Sequence, residues 1–310
     1  MEYMELLTAE RIFMLMDYYE FRTKLCDSVR ARLDDGQKLE LISIDKVNEP
    51  GLDGICIQNM ECEMRPTFYV EHLYDLHRDG MGLDDIAGMI ADRSREYPEA
   101  DLNGFMELVD FDAVKDRICV RLINLERNRS FLKENPYVEF LDLAAVFYIY
   151  MEEGDASYRA NVSNGILKQW GRKKEDLIPL AAENTRRLNP VVIYTFDELV
   201  SEMKNEEAPG ADLELEIPFL AVGSSSGTLG AVYMMDKKLM SIQAREWDSD
   251  IVIIPSSVHE VLIAPLDAVD ISHINSIINE VNSTVLARSD YLSDHAYIYD
   301  RNAGRVVCAG

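Results

Sequence analysis

The chain has 310 residues, 47% of them hydrophobic, which is enough to bury a sizeable core as one large domain or two smaller ones. Its 56 acidic and 31 basic residues give a formal net charge of -25, which repels nucleic-acid phosphates and anionic membrane surfaces. The composition therefore predicts a protein that binds neither nucleic acid nor membranes directly. Its acidic surface either keeps it soluble or meets a basic protein partner.

The five cysteines are odd in number, scattered and mostly flanked by apolar residues, which favours reduced core thiols over disulfides. No CxxC pair is present, and the first residues lack the basic and apolar regions of a signal peptide. No run approaches the roughly 18 apolar residues that a membrane helix needs. We therefore predict a cytoplasmic protein.

The first half of the chain mixes helical and strand-like patterns. A helix capped by Thr8 is followed by a hairpin of strands 39–44 and 54–58 around the turn 48–51. After a short strand at 67–70, apolar stripes predict helices at 83–97 and 114–125. Strand-forming residues then predict a central hairpin, and the elements that follow are a helix and a strand: hairpin 141–151 with 158–166, helix 173–188 and strand 191–194.

The segment 205–216 is acidic, contains Pro209 and Gly210, and has little to bury. It is therefore predicted to be a linker or surface loop between an N-terminal region, 1–204, and a C-terminal region, 217–310. The second region is predicted to hold strands 219–222, 251–254 and 258–263, a helix or strand at 227–235, a helix at 271–281, and a closing hairpin of 296–299 with 306–308. Helices and hairpins without regular βαβ alternation predict an α+β fold with antiparallel sheets.

Two segments of the last quarter carry the candidate site residues. They contain two of the five histidines, each beside an acidic residue. The candidates, in chain order, are Ser256, Ser257, His259, Glu260, Asp294 and His295. A serine hydroxyl becomes a nucleophile only when a positioned base takes its proton, so a hydrolase would pair Ser257 with a histidine that an acid orients.

Local order argues against both catalysis and metal binding by these residues. Ser257 and His259 lie two apart on a predicted strand, so their side chains point in parallel, and no Gly-x-Ser-x-Gly turn is present. Zinc or iron would suit the acid and histidine pairs, but adjacent strand residues point to opposite faces, and only one of each pair could bind. The pattern favours a turn whose polar side chains bond nearby backbone, with no metal site.

A glycine- and serine-rich loop at 223–230 follows an apolar strand and could cradle a phosphate on its backbone N–H groups. It lacks the Gly-Lys-Ser/Thr ending of a P-loop and the acidic ribose partner of a dinucleotide site. We therefore predict a turn and no cofactor.

Several stretches resemble a known family in order and spacing over nearly the whole chain. They are 114–118, 170–171, 183–185, 255–261 and 292–297. The chain resembles the uncharacterised bacterial domain-of-unknown-function family 5688 (DUF5688). The resemblance implies an origin in anaerobic Gram-positive bacteria, near mobile-element genes, but it implies no activity.

The leading hypothesis is a non-catalytic accessory or regulatory protein that binds another macromolecule. One alternative is an enzyme of unrecognised, hydrolase-like type with a site around Ser257, His259 and His295. Another is an acidic decoy that mimics nucleic acid. Whether His259 and His295 meet across the sheet is the contact that separates the first two.

Overall fold

A computed structural model describes residues 16–59, 67–96, 108–153, 156–195 and 218–309. The chain divides into two compact units, of which the first comprises Met1–Lys46 and Pro50–Phe105, and the second Val47–Glu49 and Met106–Gly310. This division differs from the predicted boundary at 205–216, a segment that itself lies outside the described residues. Strands on either side of that segment pair in one sheet, so both belong to the second unit.

The first unit packs helices against a three-stranded sheet. Its helices are α1 (Tyr18–Arg30), α2 (Val70–Arg78) and α3 (Leu83–Glu96), and its strands, in sheet order, are β1 (Gln37–Lys46), β2 (Glu49–Asn59) and β3 (Thr67–Tyr69). The predicted hairpin is confirmed as β1 and β2. The predicted cap at Thr8 lies outside the described residues; the described helix has Asp17 as its N-cap, whose carboxylate accepts the Glu20 N–H. Phe21, Leu25 and Ile90 fill the core.

The second unit contains a four-stranded antiparallel sheet built around one long strand. Its members are β4 (Ile118–Asn124), β5 (Tyr137–Phe140), β6 (Leu143–Glu153) and β7 (Ala156–Asn161). Strand β6 pairs with β4 along one edge and with β5 and β7 along the other. The central hairpin of β6 and β7 is confirmed.

The predicted helix 114–125 is wrong beyond its first residue. Only α4 (Phe111–Val114) is helical, a 3-10 turn follows, and β4 then pairs with β6, with Ile118 opposite Ile149. Residues of β4 are buried on both faces. A strand buried on both faces has no polar side, so its apolar residues can also match helical spacing.

The second sheet of this unit has six antiparallel strands in the order β13-β12-β10-β11-β9-β8. They are β8 (Val191–Thr195), β9 (Leu220–Ser224), β10 (Ile251–Pro255), β11 (Val261–Pro265), β12 (Tyr297–Asp300) and β13 (Arg305–Cys308). The predicted strands and the closing hairpin are confirmed, although β11 begins later than predicted. One core joins both sheets, with Tyr148 of the first sheet and Ile253 of the second among its buried members.

Helices cover these two sheets. They are α5 (Arg129–Glu134), α6 (Asn164–Gln169), α7 (Lys174–Leu188), α8 (Lys237–Glu246) and α9 (Ile271–Thr284). The segment predicted as a helix or strand at 227–235 is a 3-10 helix over Gly230–Met235. The α+β class with antiparallel sheets is confirmed. Among the described helices, none is long and apolar enough to cross a bilayer.

Candidate functional site

The residues 256–260 form a turn between β10 and β11, outside both strands. The Ser257 hydroxyl accepts the backbone N–H of His259 at 2.9 Å, and the Ser256 hydroxyl donates to the Glu260 carboxylate at 3.2 Å. Both serine hydroxyls therefore bond within their own turn, and within the described structure neither one bonds the His259 imidazole.

His259 ties this turn to two other segments. Its Nδ1 accepts the backbone N–H of Leu229 at 3.2 Å, and its Nε2 lies 3.4 Å from Oδ1 of Asp290. The Val258 N–H also donates to the Asp290 carbonyl at 2.8 Å. An Nδ1 that accepts a hydrogen bond places the proton of a neutral ring on Nε2, toward Asp290. These contacts brace the loop.

The glycine- and serine-rich loop has its backbone donors already paired. Every N–H from Ser225 to Gly230 has a hydrogen-bond acceptor within the protein, and the Gly230 N–H donates to the His259 carbonyl at 2.8 Å. A phosphate cradle needs free N–H groups that point at the anion. The geometry therefore agrees with the predicted turn.

A second cluster surrounds His295 and draws on three separate elements. Asp142 lies in the turn between β5 and β6, where Leu141 adopts φ 59°, His295 precedes β12, and Cys308 ends β13. One ligating atom from each of these three side chains lies within 4.8 Å of the other two. Tyr297 is opposite Cys308 in the β12 and β13 pair, and its ring centroid is 5.0 Å from that of His295.

The two ring nitrogens of His295 have different surroundings. Nδ1 lies 2.9 Å from the Asp294 carboxylate and 3.3 Å from the Ser293 hydroxyl. Nε2 is buried and has no hydrogen-bond partner among the described residues, and Oδ1 of Asp142 lies 3.7 Å away. The prediction that Asp294 and His295 point to opposite strand faces is wrong, because both lie in a loop before β12 and bond each other.

Asp142 is held by two hydroxyl groups. The Tyr297 hydroxyl donates to Oδ1 at 2.8 Å and the Ser293 hydroxyl donates to Oδ2 at 3.3 Å. Partial desolvation of the sulfur, and then the charge of Asp142, raise the pKa of Cys308, so this cysteine is a neutral thiol by itself and is not an activated nucleophile. Cys308 is also exposed, unlike Cys26, Cys56 and Cys119, so the prediction of core thiols is wrong for this residue.

The structure therefore separates the predicted site residues into two groups. His259 and His295 share no hydrogen-bond or ion-pair partner in the described part of the chain. Asp142, which is distant in sequence from His295, and Cys308 were not among the predicted site residues. The one local signal was the two-residue spacing of His295 and Tyr297 at the start of a strand, because this spacing places both side chains on the same face of the strand.

An apolar cavity of about 240 Å³ lies elsewhere in the second unit. Strands β4, β5 and β6 form one wall and α7 forms a second. The third wall is formed by the 3-10 helix together with Asp236, the residue that follows it. The apolar lining includes Val120, Phe147, Ile178, Ala182 and Val232. No local pattern of the sequence predicts this cavity, because its walls come from elements that are far apart along the chain.

The polar groups of the cavity are paired with one another or with backbone. Arg186 Nε donates to the Asp236 carboxylate at 2.9 Å, and the Tyr233 hydroxyl donates to the Asn189 carbonyl at 2.6 Å. The Thr185 hydroxyl donates to the Ala181 carbonyl and accepts the Val120 N–H. The cavity therefore offers a ligand mainly apolar surface for van der Waals contact.

The profile of a family of unknown function (DUF5688) matches residues 18–301. No curated protein and no solved structure matches the chain.

Proposed function

Since this chain belongs to the DUF5688 family of unknown function, which brings no activity with it, we propose from its geometry that it is a non-catalytic accessory protein that binds a protein partner. The apolar cavity on β4, β5, β6 and α7 is the observation that carries the proposal. Its polar groups are paired, so its contribution to binding comes from apolar burial rather than from chemistry on a substrate.

The size of the cavity fits an apolar anchor side chain. At about 240 Å³ it is smaller than the roughly 300–1,000 Å³ of sites for drug-sized ligands, and larger than the roughly 150 Å³ that holds benzene. Protein interfaces draw much of their energy from a few large side chains that fill such pockets. The half-exposed Ile178 extends the apolar surface at the cavity.

The net charge of the chain indicates which kind of residue flanks that apolar side chain in the partner. A formal net charge of -25 attracts positively charged partners and speeds their association. The occupant is therefore a basic protein segment that inserts one large apolar side chain.

A peptide display library panned against the full chain tests this proposal. We expect the selected peptides to combine one aromatic or large aliphatic residue with lysine or arginine, and to lose at least about tenfold in affinity for Ala182→Trp, which fills the cavity. Ile242→Trp, at an exposed position of α8 that does not line the cavity, is the matched control and keeps wild-type affinity.

Two results would count against the cavity. One is a selected set without a shared apolar anchor. The other is equal binding to wild type and Ala182→Trp, with circular dichroism confirming that the variant is folded.

A further inference from the structure

We propose that Asp142, His295 and Cys308 bind one divalent transition-metal ion of the zinc class. This site is separate from the apolar cavity and does not depend on the proposed function. Three observations support it: the orientation of His295, the distances between the ligating atoms, and the chemistry of the donor set.

The surroundings of His295 are those of a metal ligand. Metal-binding histidines usually donate the N–H of one ring nitrogen to a carboxylate, which leaves the lone pair of the other nitrogen for the metal. Asp294 accepts from Nδ1 at 2.9 Å, so the free lone pair is on Nε2. Within the part of the chain that the structure describes, that atom is buried and has no hydrogen-bond partner, which is unusual for a buried polar atom.

The distances fit a common ion. Ligands about 2.0–2.3 Å from zinc in a tetrahedral arrangement lie about 3.3–3.7 Å from one another. Nε2 of His295 is 3.7 Å from Oδ1 of Asp142, and the Cys308 sulfur is within 4.8 Å of both partners. The His295 and Asp142 atoms are therefore at the spacing of two ligands of one ion, and the Cys308 sulfur is close to both.

The position of Asp142 is already fixed. Hydroxyl groups of Tyr297 and Ser293 donate to its two carboxylate oxygens, at 2.8 Å and 3.3 Å. Hydrogen bonds of this kind to a ligating carboxylate hold it in place for the metal. The site therefore has both its ligands and the groups that orient them.

The donor set selects the class of metal. One imidazole nitrogen, one sulfur and one carboxylate oxygen suit zinc or a similar transition metal, whereas calcium and magnesium prefer oxygen alone. Three protein ligands leave a fourth position for water or an incoming group. Cys308 is exposed, which gives the ion a route from solvent.

Cobalt substitution in the full, tag-free, reduced chain tests the site. We expect one equivalent of Co²⁺ to produce both the visible absorption of a tetrahedral ion and a thiolate-to-cobalt charge-transfer band, and Zn²⁺ to displace it. Cys308→Ser abolishes the charge-transfer band. Asp294→Asn, which changes only the group that orients His295, weakens affinity about 10- to 100-fold.

Histidine variants provide the matched comparison. His295→Gln loses tight Co²⁺ binding, whereas His273→Gln, at an exposed position of α9, binds as wild type. A wild-type spectrum without a stoichiometric charge-transfer band overturns the proposal, and so does a band that persists in Cys308→Ser. Because the wild-type spectrum is decisive alone, poor folding of a variant does not remove the test.

Discussion

Asn48 is a single residue on which several buried groups depend. It adopts φ 63° and is buried within the second unit. Its side chain donates to the carbonyls of Ser289 and Tyr291 at 2.8 Å and 2.7 Å, and accepts from Asn128 at 2.8 Å. Asparagine is among the few residues that tolerate this backbone conformation.

Asn48→Ala is expected to lower the free energy of unfolding by about 3 kcal/mol, because it leaves buried polar groups without partners and strains the backbone. Urea unfolding measures the change. Asn302→Ala, at an exposed turn position, is the control and is expected to change stability by less than about 0.5 kcal/mol. A small effect of Asn48→Ala would mean that water replaces the lost hydrogen bonds.

Asp236 has two roles at one carboxylate. It is the N-cap of α8, accepting the N–H groups of Lys238 and Leu239, and it pairs with Arg186 at 2.9 Å. Burial alone would raise the pKa of Asp236, but the hydrogen bonds from Arg186 and from the backbone outweigh it, and the pKa lies below its ordinary value. Because the pKa is lower in the folded state, the ionised carboxylate stabilises the fold. This contribution is fully present above the unfolded pKa of Asp236, and it is lost as the pH falls through the folded pKa.

Asp236→Ala is expected to cost about 1–2 kcal/mol at neutral pH through loss of the cap. Asp236→Asn keeps the cap acceptor and is expected to cost less than about 1 kcal/mol, since it loses only an ion pair with an exposed arginine. Unfolding in urea at about pH 7 and at about pH 2.5, well below the ordinary pKa of an aspartate, separates the two roles. If the gap between Asp236→Asn and wild type stays constant across these pH values, the charge is not the cause.

At the scale of elements, the close approach of the 3-10 helix to the second sheet depends on a missing side chain. A Cβ atom on Gly230 would lie 2.5 Å from the carbonyl carbon of Gly223 in β9 and 2.6 Å from the carbonyl oxygen of His259. Both atoms are backbone, so neither can move without shifting its strand or turn. Gly230 therefore sets the distance between three segments.

Gly230→Ala is expected to destabilise the protein by about 3 kcal/mol or more, because the added methyl group forces backbone apart. Gly165→Ala in α6 is the control, since its Cβ would meet nothing closer than the Ser163 hydroxyl at 3.6 Å. That change is expected to be neutral or to stabilise by up to about 1 kcal/mol through helix propensity. Thermal unfolding of both variants gives the comparison, and equal midpoints would contradict the packing argument.

At the scale of the whole molecule, charge repulsion opposes folding. The formal net charge is -25, and ion pairs such as Lys24 with Glu20 and Arg129 with Glu126 are largely exposed. Exposed pairs contribute about 0–1 kcal/mol each and are weakened by salt, whereas the repulsion among many like charges acts over the entire surface. Repulsion should therefore dominate the response to ionic strength.

Raising NaCl from about 0.02 M to about 0.5 M is expected to raise the urea midpoint, because screening shortens the range of repulsion to a few ångströms. Chemical denaturation at several salt concentrations measures this response. A midpoint that falls as salt increases would show that the ion pairs outweigh the net charge.

The local patterns of the chain were sufficient for the class of fold and for most elements. Turn residues around an apolar run predicted the β1 and β2 hairpin, and strand formers predicted β6, β10 and the closing hairpin. The same local information failed at β4, where residues buried on both faces mimic a helical stripe. The spacing of apolar residues shows which face of a helix or strand is buried. It cannot distinguish a helix from a strand when both faces of the strand are apolar.

The sequence by itself determined the acidic charge, the α+β class and the two candidate histidines. Only the tertiary structure decided that His259 braces a turn while His295 meets Asp142 and Cys308. It also decided that β8 and β9 join across the acidic segment. The physical reason is that pairing between distant segments follows from the packing of whole faces, which no window along the chain contains.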